Sequence, residues 1–486
     1  MKVPADSAVS CQASTRTEGT LTATYQAFLE RKTQLDAAAG FDPAWLPEFL
    51  FGFQSDLTAW AIREGRGALF ADCGLGKSPM ELVWAQNVCQ HTGKPVLILT
   101  PLAVTFQMEA EAAKFGIDAA ISRDGTLPAP VTITNYERLE RFDRARLGGV
   151  VCDESSAIKS FDGVRRALVT DFLRKMPYRL LGTATAAPND YIELGTSSEA
   201  LGYLGHVDML TRFFVNDNRT IDTKGHYKGF SAPRQWGKQQ WRFKGHAEDL
   251  FWRWVTSWAR ALRKPSDLGY PDDGFILPPL EYREHVVKAA AQRDDTALFD
   301  VPAVGLHEER AELRHTIRER CELAAELLDG VKTGIAWCHL NPEGDLLAKL
   351  IPGAVQVSGA DPVDAKEEKL AAFTRGDIRV LVTKPKIGAW GLNWQHCHRM
   401  TYFPDYSYEA HYQAVRRCWR FGQDRPVTVD IITTPGGANA LAGLQRKAAQ
   451  AGAMFTALTA HMSTALGVRR TVTYDNDVEV PSWARS

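Results

Sequence analysis

The chain has no Cys-x-x-Cys pair. Its eight cysteines, at positions 11, 73, 89, 152, 321, 338, 397 and 418, are scattered, which argues against a disulfide framework or a zinc ribbon and fits a reducing compartment. No run of about 18 apolar residues occurs, and the opening Met1-Lys2-Val3-Pro4-Ala5-Asp6 holds no apolar stretch of signal-peptide length. The expectation is a soluble, cytoplasmic protein with no membrane partner. Charge of one sign is also lacking: 57 Lys and Arg stand against 58 Asp and Glu. Any surface for nucleic acid therefore has to be local. Low-complexity segments and a separate nuclease constellation are absent too. What remains is an ordinary globular composition, 45% hydrophobic and 24% charged over 486 residues, enough for about two to four domains.

One stretch organises the rest: Ala71-Asp72-Cys73-Gly74-Leu75-Gly76-Lys77-Ser78. Before it, Gly67–Ala71 reads as a short buried strand; after it, Pro79-Met80-Glu81-Leu82-Val83-Trp84 opens a helix. Strand, glycine loop, Lys-Ser and helix are the layout of a phosphate site. Glycines let backbone N–H groups approach phosphates, and the helix N-terminus favours negative charge. Lys77 reaches the β- and γ-phosphates, and Ser78 can ligate Mg²⁺. The full pattern asks for Gly where Ala71 stands, and a glycine turn without ligand is the alternative reading.

Continuous apolar runs alternate with helical patterns along the chain. The first set is Gly67–Ala71, Pro95–Thr100, Val131–Tyr136, Gly149–Cys152 and Tyr178–Leu181. The second is Gly334–Leu340, Ala354–Val357, Ile378–Thr383, Arg399–Phe403 and Val427–Thr433. Such runs suit strands buried on both faces, and the rhythm suits parallel sheets. The predicted α/β organisation is a helical extension over 1–40, a first lobe over 41–205 that carries the phosphate loop, an insertion over 206–312, a second lobe over 313–436, and a C-terminal helix and tail over 437–486. Within the insertion, residues 211–246 carry eight Lys or Arg against two Asp, with aromatics interleaved. Phosphate neutralisation and stacking make this the best local candidate for contact with nucleic acid, through Lys238, Arg242 and Lys244. Packing of those aromatics on the lobes is the alternative. Phe251, Trp254, Val255 and Trp258 have helical spacing and are expected in the core.

Three further stretches carry chemistry. Gly149–Cys152 ends on Asp153-Glu154-Ser155-Ser156; a carboxylate there can hold Mg²⁺ while its neighbour polarises an attacking water. Leu180-Leu181-Gly182-Thr183-Ala184-Thr185 runs from a strand into small hydroxylated residues that could couple nucleotide to a second ligand. In Gln413–Gln423, Gln413, Arg417 and Arg420 fall on one helix face. Two guanidiniums aimed one way suit transferring phosphate oxygens.

Together, Gly74–Ser78, Asp153–Ser156, Gly182–Thr185, Gly388–Asn393 and Gln413–Gln423 resemble, in order and spacing, the ATPase motifs of superfamily 2 DEAD/DEAH-box helicases. The closer resemblance is to Swi/Snf-like DNA translocases, and Trp241–Leu280 looks like compact phage-encoded members. The resemblance implies two tandem RecA-like lobes with ATP and Mg²⁺ between them, a mainly helical insertion and a C-terminal helical segment. Gln54 would read adenine, and Gly74, Leu75, Gly76, Lys77 and Ser78 would cradle phosphate. Asp153 would join Ser78 on Mg²⁺, and Glu154 would activate water. Gln413, Arg417 and Arg420 would complete catalysis, with Gly391 and Asn393 lining the nucleotide. Ser156, Gly182, Thr183 and Thr185 would couple the sites, and Pro101, Thr134, Asn135 and Thr383 would meet nucleic acid. The sequence departs at Ser156, where His or Gln is usual, at Trp390, where an acid is common, and at Arg416, where Asp is common.

The expectation is a monomeric ATP-dependent motor translocating on double-stranded DNA, with protein partners from a phage or bacterial DNA-processing system. A strand-separating DNA or RNA helicase is the nearest alternative. The second is a subunit that uses ATP only as a switch.

Overall fold

The computed structural model describes residues 39–160, 163–187, 190–216, 241–287, 306–388 and 393–467. The continuous apolar runs form strands, because only strands buried on both faces can hide apolar residues at every position. Seven belong to one sheet. They are β1 (Arg66–Ala71), β2 (Val96–Thr100), β3 (Ala119–Ile121), β4 (Val131–Asn135), β5 (Gly149–Cys152), β6 (Tyr178–Gly182) and, after a two-stranded antiparallel ribbon of β7 (Phe214–Asn216) and β8 (Trp241–Phe243), β9 (Ala259–Leu262). Their order is β3-β4-β2-β5-β6-β1-β9, and every pairing is parallel.

The second sheet holds β10 (Leu280–Val286), β11 (Gly334–Trp337), β12 (Ala354–Val357), β13 (Val380–Thr383), β14 (Arg399–Tyr402) and β15 (Val427–Thr433). Its order is β10-β15-β14-β11-β13-β12, again parallel throughout. These sheets, flanked by helices, are the two RecA-like lobes expected. Each has one or two strands more than the five expected. The stretch 206–312 is therefore more than an insertion: it supplies β9 to the first sheet and β10 to the second.

Helices that matter for the site are α1 (Gly52–Glu64), α2 (Lys77–Thr92), α3 (Ala247–Trp258), α4 (Tyr408–Val415) and α5 (Ala438–Gly467). Helix α1 stops at Gly65, whose φ of 70° is open to glycine at little cost and whose N–H caps Ala61. On α3, Phe251, Val255 and Trp258 are buried and Trp254 packs beside them, as the spacing predicts. Phe213 and Phe214 are buried, and Phe214 stacks on Phe243 at 4.7 Å, so the described aromatics of 211–246 pack on the first lobe. Each large apolar side chain fully buried in this way stabilises by about 1.5–3 kcal/mol.

Helix α5 crosses from one lobe to the other. Leu441 packs with Val427, Val429 and Ile431 of the second lobe, whereas Met454, Phe455, Leu458 and Met462 belong to the core of the first. The Ala261 N–H meets the Met462 sulfur at 3.1 Å. Among the described residues no helix is long and apolar enough to cross a membrane. The expected helix before residue 39, most of the basic stretch (with Lys238), Gly391 and the tail after 467 lie outside the described residues.

Candidate active site

Strand β1 ends at Ala71, and the chain must turn at once to start α2. Gly74 and Gly76 make the turn, with φ of 91° and 75°. Neither position has room for a side chain. A Cβ at Gly76 would sit 2.3 Å from Gln54 Nε2, and one at Gly74 would sit 2.9 Å from the Phe421 nitrogen of the other lobe. Gln54 secures this loop: its amide donates to the Leu75 carbonyl at 2.9 Å and accepts from the Phe51 N–H at 3.0 Å. The Leu75 side chain is buried in the core. Lys77 donates to the Ala71 carbonyl at 2.9 Å. The first turn of α2 faces a cavity of about 410 Å³.

That cavity is walled by both lobes. From the first come Gln54, Gly74, Gly76, Lys77, Ser78, Asp153 and Glu154; from the second come Asn393, Arg417 and Arg420. Pro101, expected at nucleic acid, lines this cavity as well. Gln413 is buried and is not part of the wall; its amide nitrogen has no partner in the structure.

The acidic pair sits at the end of β5, where the Asp153 N–H bonds Leu99 O at 2.9 Å. Burial first, then the neighbouring Glu154, push the Asp153 carboxyl up to about 7 against the pull of Lys77. Buried Asp153 and its half-buried neighbour Glu154 line the same cavity as Ser78, a set of oxygen donors that fits Mg²⁺. Glu154 is the only described residue other than glycine in the left-handed region, with φ of 53°. Its Oε1 accepts from the Ser156 hydroxyl at 2.7 Å and from the Thr183 hydroxyl at 2.6 Å. Ser156 thus touches the acid itself, and so does Thr183. Thr183 in turn lies 3.5 Å from the Thr185 hydroxyl, which donates to Glu409 on α4 at 3.2 Å. The chain Glu154–Thr183–Thr185–Glu409 runs from one lobe to the other. Gly182 leaves space for Glu81, whose carboxylate a Cβ there would strike at 1.8 Å.

On the second lobe, Arg417 and Arg420 stand at the end of the segment that begins with α4. Arg417 Nε donates to the Gln413 carbonyl at 3.1 Å. Burial, then Arg417, hold the Arg420 guanidinium down at about 10, and its Nε is enclosed without a partner in the structure. Crowded, buried guanidiniums of this kind are complementary to a polyanion.

Some expected contacts do not reach solvent. Thr134 and Thr383 are fully buried, and their hydroxyls bond the carbonyls of Ser122 at 2.9 Å and Val357 at 3.0 Å. Asn135 is buried as well. In this conformation all three side chains are enclosed, and the two threonine hydroxyls are spent on backbone carbonyls. Arg242 and Lys244 are exposed around β8, and Lys244 donates to the Thr211 carbonyl.

The sequence reading gave no role to Asp72, Glu81, Glu409 or Tyr412, and named Arg416 only as a departure from the motif. Glu81 is fully buried in α2 with neither carboxylate oxygen hydrogen-bonded; burial, then Asp153, raise its pKa well above the ordinary range. An acid within Met80–Trp84, an otherwise apolar run, was its only signal.

No family model matches the chain, and no curated protein matches it. Solved structures do. A SWI2/SNF2 ATPase core of Sulfolobus solfataricus in complex with double-stranded DNA aligns at 16% identity over 81% of this chain and 90% of that chain, with a TM-score of 0.39. A Dbp5 variant of S. cerevisiae bound to RNA and ADP BeF3 aligns at 12% identity over 84% of this chain and 93% of that one, with a TM-score of 0.50. The second likeness, with the two parallel sheets, establishes the fold as a tandem pair of RecA-like lobes.

Proposed function

We propose that this chain is an ATP-hydrolysing motor that moves on nucleic acid, with double-stranded DNA as its track. The observation that carries the reading is the single cavity into which Lys77, Asp153 and Glu154 project from one lobe and Arg417 and Arg420 from the other. A triphosphate there is bound by the backbone N–H groups of Gly74–Lys77 and the dipole of α2. Gln54 and Asn393 line the same space. Ser78 and Asp153 would hold Mg²⁺, which would supply neutralisation of phosphate charge. Glu154 spends Oε1 on Ser156 and Thr183, leaving Oε2 to orient and deprotonate the attacking water. Arg417 and Arg420 stabilise the charge that develops on the transferred group. Hydrolysis cuts the γ-phosphoryl group from ADP, and release of the phosphate removes the anion that held the two lobes' charges together, so the cleft relaxes; alternation of the two states steps the protein along its track.

The test is ATP turnover without nucleic acid and with duplex DNA, single-stranded DNA or RNA, beside Glu154→Gln. Stimulation by duplex, with turnover in Glu154→Gln lowered by about 100-fold or more, is the expected result. Stimulation by single strands or RNA alone would replace the duplex track with strand separation. Turnover indifferent to all of them would overturn the motor and leave an ATP-driven switch.

A further inference from the structure

Asp72 and Cys73 stand between β1 and the first glycine of the loop, and the opposite lobe grips both. The Arg416 guanidinium pairs with Asp72 Oδ1 at 2.8 Å and donates to the Cys73 carbonyl at 2.7 Å. Tyr412, one helical turn earlier, brings its hydroxyl to the same Asp72 oxygen. Asp72 Oδ1 in turn accepts the Cys73 N–H at 2.6 Å, and the Asp72 N–H is tied to Leu262 of β9 at 2.9 Å. Both backbone groups of Cys73 are thereby held, one by each member of an ion pair that spans the lobes.

Arg416 is 3% exposed and lies over the Trp419 ring at 4.8 Å, while the Trp419 indole N–H is anchored on the Pro278 carbonyl at 2.7 Å. Burial opposes the Arg416 charge, but Asp72 and Tyr412 outweigh it and hold it protonated. A planar fork so enclosed cannot be replaced by solvent without cost, and withdrawing it leaves Asp72 partly buried with no counter-charge.

We propose that Arg416, with Asp72 and Tyr412, is a positioning device that sets the shape of the phosphate loop from the opposite lobe, so that the loop is fully formed only when the cleft is closed. It rests on the ATPase reading for its purpose, but not for its test. Opening the lobes frees the Cys73 carbonyl, and the N–H groups of Gly74–Lys77 lose their common aim. Nucleotide affinity is then tied to closure through the start of the loop, independently of the arginines facing the phosphates.

The first measurement is amide hydrogen exchange over residues 72–78 in the full, nucleotide-free chain. Arg416→Gln should speed exchange there by about tenfold, the scale of one lost charge-assisted hydrogen bond, and Arg416→Lys should restore part of the protection. Asp72→Asn, nearly isosteric, approaches from the other side and should give the same pattern. In turnover, Arg416→Gln should raise KM for ATP by about tenfold, with a smaller change in kcat. The double variant should cost no more than the worse single one. Unchanged exchange over 72–78 in both single variants would overturn the proposal, as would additive effects in the double variant. A wild-type chain with no turnover would remove the ATPase reading alone, because the exchange result still decides whether the loop is set from the opposite lobe.

Discussion

Glu154 holds a backbone conformation that costs a non-glycine residue about 1 kcal/mol or more, and the same residue receives two hydroxyl donors on one carboxylate oxygen. The hydroxyls fix where its free oxygen points. Thr183→Val keeps the shape and removes one donor, so kcat should fall by about 10- to 100-fold with little change in KM for ATP. Steady-state kinetics at saturating nucleic acid would read this; an unchanged kcat would mean that Thr183 does not orient the acid. A different residue controls a pH response. Burial, then His339, hold the His411 imidazole down at about 4, with Tyr402 and Tyr282 packed against its ring. Between about pH 6.5 and 4 the unfolded chain takes up a proton that the folded chain refuses. Stability should therefore fall with pH in that window, by about 3 kcal/mol from this group. His411→Gln should flatten the fall in denaturant midpoint between pH 7 and pH 4.5; equal slopes would rule out this origin. At this scale Lys77, Asp153 and Arg417 were legible because each belongs to a short run of fixed spacing. Glu409 was not, since Thr185 meets it across 224 positions; Arg416 showed only as a departure from its motif, and its partner Cys73 lies 343 positions away. Nothing local marks such partners.

Among the elements, the strands missed from sequence share a physical reason. Ala119–Ile121 is three residues long, too short for a pattern. Ala259–Leu262 follows α3 with no punctuation and reads as its continuation. Leu280–Val286 is an edge strand whose side chains are largely exposed, so it has none of the continuous apolarity of its neighbours. All three lie at sheet edges, where of the four edge strands in the two lobes only Ala354–Val357 was legible as an apolar run. The C-terminal helix was legible as a helix, but its partners were not, since an alanine-rich stretch packs equally well against either lobe. Leu458 is buried where α5 meets the first lobe. Leu458→Asp places an unpaired charge there and should destabilise the chain by about 3 kcal/mol or more. The drop should show in the denaturant midpoint, whereas a substitution at the exposed Arg446 should leave it within about 0.5 kcal/mol.

At the scale of the whole molecule, the lobes are joined twice. The first join is the stretch from β9 to β10, whose Phe275 stacks on Phe421 at 4.9 Å and whose Tyr270 reaches Asp56 at 2.5 Å. The second is α5, 30 residues long and so about 45 Å from end to end. A body hung from a single link can tumble in any direction, but one hung from two can swing only about the line through both, like a door. On the ATPase reading proposed above, the long helix would restrict how the cleft opens, favouring a swing about the line through the two joins over free tumbling.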